Sequence, residues 1–155
     1  SVFSLIPKLI ERAGTGRIYQ GTVTAIYTLL AEGDDINDPI VDLARASLDG
    51  QVMLSRALAD AAHYPAIDLT GSISRLMPLI CSKDEVERAN RFRRLWTIYN
   101  QSEDLINVGA YEDGSNPELD LAIKMRPQLS SFLQQSMDDE FSFSNTEAAL
   151  KDCLD

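Results

Sequence analysis

Histidine is nearly absent from this 155-residue chain, cysteine is scarce, and acidic side chains outnumber basic ones by 24 to 14. Each shortage removes a class of chemistry. The single histidine, His63, has no second ligand at helical spacing, so it reads as a satisfied structural residue. The two cysteines, Cys81 and Cys153, stand far apart and match no zinc spacing, which leaves reduced cytosolic thiols as the simpler account. No metal site is expected. No Gly-x-Ser-x-Gly elbow is present to expose a serine nucleophile. A Gly-x-x-x-x-Gly-Lys-Ser/Thr loop is also missing, so these residues cannot cradle a triphosphate in the P-loop manner. No apolar run approaches the ~20 residues that span a bilayer. The opening SVFSLIPKLIERAG lacks the charged region and cleavage site of a signal peptide, and a cytoplasmic location is expected. A net charge of -10 repels phosphates and argues against nucleic acid and anionic membranes. It serves solubility, or a basic protein partner.

What is present begins with a helical pattern. Leu5, Leu9 and Ala13 share a face with Val2, and a helix starting near Ser4 would keep Pro7 in its first turn. Thr15 to Gln20 reads as a loop. The run GTVTAIYTLLA from Gly21 is β-branched and apolar on both faces, which suits an inner strand. An acidic loop follows, with Asp38-Pro39 as cap and first residue of a helix. Gln51 to Ser55 reads as a second strand. Ala57 to Ala62 forms a small-residue helix that ends before Tyr64, the residue ahead of Pro65. Beyond Pro78 the pattern turns helical throughout. Ser82 and Glu85 spell a capping box, and Val86, Ala89, Phe92, Leu95, Trp96, Tyr99 and Ile106 recur at helical spacing. Asn116-Pro117 starts another helix, with a stripe at Leu119, Ala122, Met125, Leu129 and Phe132/Leu133 and a kink or break at Pro127. Residues past Ser136 read as an acidic, serine-rich tail with at most one short helix, Thr146 to Leu154. Two strands make no stable covered sheet alone. The pattern is that of the second half of a larger α/β domain plus a helical appendage.

Three features carry possible chemistry. Arg75 ends Ser72-Ile73-Ser74-Arg75 on a polar loop; it is either a surface arginine or a fixed positive fork aimed at a neighbour's γ-phosphate. Tyr64 is either a corner-packing ring or a flat platform for adenine. Asp34, Asp35 and Asp38 are either solvated or a face for a basic rod, with Asp38 also free to cap a helix.

The order of these segments resembles the flagellar and type III secretion ATPases, relatives of the catalytic subunit of rotary ATP synthases. LDGQVMLSRALADAAHYPAID and SISR carry the match most specifically. SVFSLIPKLIERAG resembles the helix after the family's Walker B region, and GTVTAIYTLLAEGDDINDPI its strand and stalk-facing loop. GAYEDGSNPELDLAIKMRPQLSSFLQQ resembles its helical domain. The resemblance implies an α/β fold: the C-terminal portion of a RecA-like nucleotide-binding core over residues 1–79, an all-α domain over 80–136 and the tail over 137–155. It implies that Arg75 is a trans-acting arginine finger, that Tyr64 packs near adenine and Phe132 closes the same pocket, and that Asp34, Asp35 and Asp38 face a coiled-coil stalk protein. The YEDGSNPELD stretch would move with nucleotide state.

The implied parent is a homohexamer that hydrolyses ATP with Mg2+ to release chaperones and unfold export substrates, peripheral to a membrane export gate. Its P-loop lysine, catalytic glutamate and Walker B aspartate would precede Ser1, so the chain by itself is expected to be inactive. Gln51 stands where the family has histidine, and SMDDEF follows Phe132 where an aromatic wall is expected. The rival reading is a stand-alone, non-catalytic module for chaperones or a coiled coil. A rotary ATP synthase subunit fits the HYPAID and LDGQVMLSR wording less well.

Overall fold

The structure, a computed structural model, describes residues 2–18, 21–31 and 38–154. It divides into two compact units, Ser1–Gln51 and Val52–Asp155.

In the first unit α1 (Val2–Ile10) packs on α2 (Pro39–Ser47). Because α1 begins ahead of Ser4, Pro7 lies inside it and not in its first turn. The proline removes one backbone donor, at an end where Phe3 is 51% exposed and water can take its place. The inner strand expected over residues 21–31 is not formed. Only β2 (Thr22–Val23) pairs, antiparallel to β1 (Gly14–Thr15), with Gly14 opposite Val23. An inner strand needs ladder partners on both edges and cover on both faces. Among the described residues of this unit it meets a two-residue stub, and Ile26 and Leu30 stand in solvent. At α2 the cap forms as expected: Asp38 Oδ1 accepts the amides of Ile40 (2.7 Å) and Val41 (3.3 Å).

Strand β3 (Gly50–Leu54), whose last three residues fall in the second unit, pairs with β4 (Ile67–Ser74) in a two-stranded sheet. Between them Ser55 caps α3 (Arg56–Asp60), accepting the Leu58 amide. Strand β4 corrects the polar loop expected at this point. Its polar residues bond to the strand itself: Ser72 Oγ donates to the Asp68 carbonyl at 2.6 Å and accepts the Met53 amide of β3 at 2.9 Å.

After α4 (Met77–Ile80), a short turn of helix that periodicity did not mark, come α5 (Lys83–Asn107) and α6 (Pro117–Leu133). The Ser82–Glu85 capping box starts α5, and Asn116 Oδ1 starts α6 by accepting the Glu118 and Leu119 amides. Helix α6 runs unbroken through Pro127. Phe92, Leu95 and Trp96 of α5 meet Ala122, Met125 and Leu129 of α6 in the core, all at most 7% exposed. At its margin the Arg126 guanidinium lies 3.7 Å above the Trp96 ring and 4.3 Å above Tyr99, and donates to Asn100 Oδ1. Such a stacked cation covers the rings while keeping its charge near water.

The short helix expected in the tail, Thr146 to Leu154, is present and starts three residues earlier, as α7 (Phe143–Leu154). Leu150 and Cys153 pack against the helical core and Leu154 is buried in it, which fixes a segment whose charge count suggests disorder. On α7 Glu147 shares a hydrogen bond with Glu85 of α5. The Ser82 hydroxyl and this shared contact hold Glu85 down to about 2, whereas the bond to ionised Glu85 raises Glu147 above its ordinary value; Arg88 pulls both the other way from burial. The raised group stabilises the folded state below its ordinary pKa and loses that contribution as pH climbs through its folded value. The lowered group contributes above its ordinary pKa and loses it only as pH falls toward about 2. Docking of α7 is therefore expected to be firmest in mild acid and to loosen toward neutrality, where two like charges face each other. Amide exchange across residues 143–154, corrected for intrinsic rates, checks this. Glu147→Gln, which keeps a donor at every pH, is expected to abolish the loosening; an unchanged profile would contradict the contact.

Candidate functional site

The site grows out of the end of α3. Ala62 adopts φ 56, a left-handed conformation that costs a non-glycine residue roughly 1–2 kcal/mol. The cost is met by a closed helix end: the Ala62 amide donates to Ala59 O at 3.0 Å and the His63 amide to Leu58 O at 2.9 Å. This turn sends consecutive residues in opposite directions. His63 goes inward, buried, with its ring centroid 6.3 Å from that of Trp96 and its Nδ1 3.0 Å from the Gln134 amide nitrogen. It is the satisfied structural histidine expected from its isolation in the sequence. Tyr64 goes outward, ahead of a cis peptide to Pro65, with its side chain 56% exposed. Its carbonyl accepts the Gln135 amide at 3.0 Å, tying this corner to the chain leaving α6.

These ties frame an open cleft of about 1150 Å3 within the second unit. Tyr64 and Pro65 line it together with Pro127, Ser130, Ser131 and Gln134 from the α6 side and Met137 from the segment beyond. Met137 is fully exposed along its length. A tyrosine ring and a thioether, with hydroxyls and amides among the lining, are side chains that suit a planar heterocycle with polar edges.

Phe132 is not among the lining residues. Its ring tilts against Phe92 at a centroid distance of 5.3 Å, on the core side of α6. The helix turns Pro127, Ser130 and Ser131 to the cleft, and residue 132 falls on the opposite stripe with Leu129. Arg75 does not line the cleft either. It is the first residue past β4, and its side chain is exposed. Asp38 is engaged as the α2 cap, and Asp34 and Asp35 lie outside the described residues.

The strand before Arg75 is tightly tied. Asp68 Oδ1 accepts from the Thr70 amide (2.9 Å) and hydroxyl (2.7 Å). Burial alone would raise the Asp68 carboxyl, but these bonds, the Gly71 amide and the Arg93 charge hold it below the usual range. A Cβ on Gly71 would come within 2.6 Å of Asp68 Oδ2, so the folded-back carboxylate needs glycine there. Arg93 of α5 closes the group, its Nη2 donating to the Ser72 carbonyl at 3.1 Å. Farther along, the Tyr111 hydroxyl sits 2.6 Å from Asp120 Oδ1, and the Gly114 amide donates to the same carboxylate, bracing the YEDGSN turn. Burial, then the bond to Asp120, raises the Tyr111 phenol. Periodicity gave no sign of Arg93, Gln134 or Met137. Their roles depend on which loop each meets.

A strand-helix-strand segment ending in an exposed arginine, joined to an all-α domain, is the C-terminal portion of a RecA-like nucleotide-binding core with its helical appendage. Residues 1–74 match the model of the ATP synthase alpha/beta family, nucleotide-binding domain, and residues 81–152 that of the T3SS EscN ATPase C-terminal domain. The chain is 50% identical over 154 residues to the flagellum-specific ATP synthase of Pseudomonas aeruginosa, covering 99% of this chain and 34% of that protein. The structure of the assembled ATPase EscN from the enteropathogenic E. coli type III secretion system superimposes with a TM-score of 0.94 at 42% identity, over 99% of this chain and 37% of EscN. EscN in complex with its central stalk EscO gives 0.88 at 40% identity, with 99% of this chain and 36% of EscN covered. The chain belongs to the flagellar and type III secretion ATPase family. It spans about a third of the length of the curated relatives it matches. No helix among the described residues is long and apolar enough to cross a membrane.

Proposed function

We propose that this chain is the C-terminal portion of a homohexameric protein-export ATPase, which couples ATP hydrolysis to release of chaperones and unfolding of secreted substrates. The observation that carries the reading is the division of labour between two exposed side chains. Tyr64 lines the subunit's own cleft, while Arg75 stands outside that cleft at the end of a braced strand. An arginine placed this way serves a neighbouring subunit's nucleotide, as the resemblance implies. In that role its fork meets charge growing on the transferring phosphoryl oxygens.

The cleft has room for a nucleoside, and its lining offers a tyrosine ring with hydroxyls and amides nearby. Among the described residues no group of three or more His, Cys, Asp or Glu could hold a metal ion. Mg2+ would be held by the phosphate-gripping residues of the longer protein and would supply positive charge to the transferring phosphoryl group. What this chain supplies is a platform for the base and a cation for the adjoining site. The stalk protein EscO is named with EscN; an equivalent coiled-coil stalk is proposed to meet the acidic loop at Asp34, Asp35 and Asp38. The braced Tyr111–Asp120 turn is the segment that would transmit motion. Chaperones and substrates would meet the helical domain, at the cytoplasmic side of the export gate.

Tyr64→Ala in the full-length protein tests the nucleotide reading. Stacking of a ring on a base is worth about 1–3 kcal/mol, so KM for ATP is expected to rise about tenfold with kcat changed far less. Steady-state kinetics reads both. An unchanged KM would remove Tyr64 from the site and favour the non-catalytic adaptor.

A further inference from the structure

We propose that Arg93, on the helical domain, is a positioning residue that sets the reach of Arg75. The inference rests on the finger reading above and extends it to the residue that aims the finger. Ser72 is the junction. Its hydroxyl joins β3 to β4 through the Met53 amide and the Asp68 carbonyl, and its own carbonyl accepts from Arg93 Nη2 at 3.1 Å. Two residues, Ile73 and Ser74, separate this anchor from Arg75, both in β4. A shift of α5 therefore passes to the end of β4 across a short tether, while the Asp68–Thr70–Gly71 fold-back braces the strand on the other side of Ser72. The Asp68 carboxylate also attracts Arg93, so the guanidinium is held by charge and by a carbonyl together. Arg93 makes these contacts from the same helix that buries Phe92 and Trp96, the rigid centre of the helical domain. The arrangement couples movement of that domain to placement of a cation on the next subunit.

The test uses the full-length, assembled protein. Arg93→Met is expected to lower kcat about 10- to 100-fold, the scale on which an ångström of misplacement acts, with KM for ATP within about threefold of the parent. Arg93→Lys, which keeps the charge and one donor, is expected to recover most of the loss. The double variant Arg93→Met/Arg75→Ala is expected to be no slower than Arg75→Ala alone, because one residue acts through the other. Assembly and melting temperature, measured for each variant, separate misfolding from misplacement. If Arg93→Met fails to assemble, Arg93→Gln, which keeps a donor without the charge, decides: kcat lowered several-fold at unchanged KM supports the role, and parental kcat refutes it. Parental turnover by an assembled Arg93→Met protein, or losses that multiply in the double variant, would overturn the proposal. Normal turnover by Arg75→Ala would instead overturn the finger reading beneath it, so the two failures are distinct.

Discussion

Arg75→Ala in the full-length, assembled protein is expected to cut kcat about a thousandfold or more while ATP binding changes by less than about threefold. The split follows from where the side chain stands. Arg75 is exposed past the end of β4 and does not line the cleft that contains Tyr64. Removing it takes nothing from its own subunit's platform for the base. On the proposed reading, what is lost is a permanent positive charge that would be delivered where the transition state gains negative charge and ground-state binding does not need it. Arg75→Lys is expected to recover little, because a compact ammonium cannot match two phosphoryl oxygens at once. Mixed assemblies add a second readout. Subunits lacking Arg75 should regain turnover when partnered with subunits that retain it but cannot bind ATP, since each defect falls on a different half of a shared site. Full turnover by the pure Arg75→Ala assembly would sink the trans role.

The helical half of this fold was legible because its signals are local. Ser82 with Glu85, Asn116 with Pro117, and the stripes through Phe92–Trp96 and Leu119–Leu129 each lie within one helix, and each appears where spacing placed it. The sheet half was not, because a strand is made by its partner. GTVTAIYTLLA has strand composition and forms two paired residues, whereas IDLTGSIS looks like a loop and forms the longest strand. In the latter, Asp68, Thr70 and Ser72 spend their polar groups on their own backbone and on β3. The short helix expected over Thr146 to Leu154 is present as α7, but its docking through Leu150, Cys153 and Leu154 was not legible, because the core it meets is built from α5 and α6.

The candidate site divides the same way. Tyr64 and Arg75 came into view through the order of whole segments, since a Tyr-Pro corner and an Arg after Ser-Ile-Ser mean little separately. Phe132 illustrates the limit of that approach. A ring at the right place in the chain fell on the core face of α6, one step around the helix from Ser131 in the cleft. Met137 and Gln134, which do border the cleft, come from a stretch with no helical or strand period to mark it.

Leu129→Ala is expected to be the most damaging substitution to stability. Leu129 has no solvent exposure and sits among Phe92, Trp96, Met125 and Leu154, at the one level where α5, α6 and α7 all contribute to the core. Truncating a buried leucine costs about 2–5 kcal/mol, the upper end applying where neighbours cannot collapse into the space. Collapse is difficult here. Trp96 is pinned by stacked Arg126 on one side and faces His63 on another, and His63 is itself tied to Gln134. The loss is a large part of the roughly 5–15 kcal/mol that holds a typical domain together. Hydrogen exchange of the slowest α6 amides reads it in the full-length protein without requiring two-state melting; acceleration of about 30-fold or more is expected. Leu129→Met, which keeps the volume, should cost under about 1.5 kcal/mol. Leu105→Ala, on a side chain 53% exposed, should stay within about 0.5 kcal/mol. If Leu129→Ala exchanged no faster than Leu105→Ala, the three helices would not share one core. Arg93 would then have no rigid body through which to move the strand that ends at Arg75.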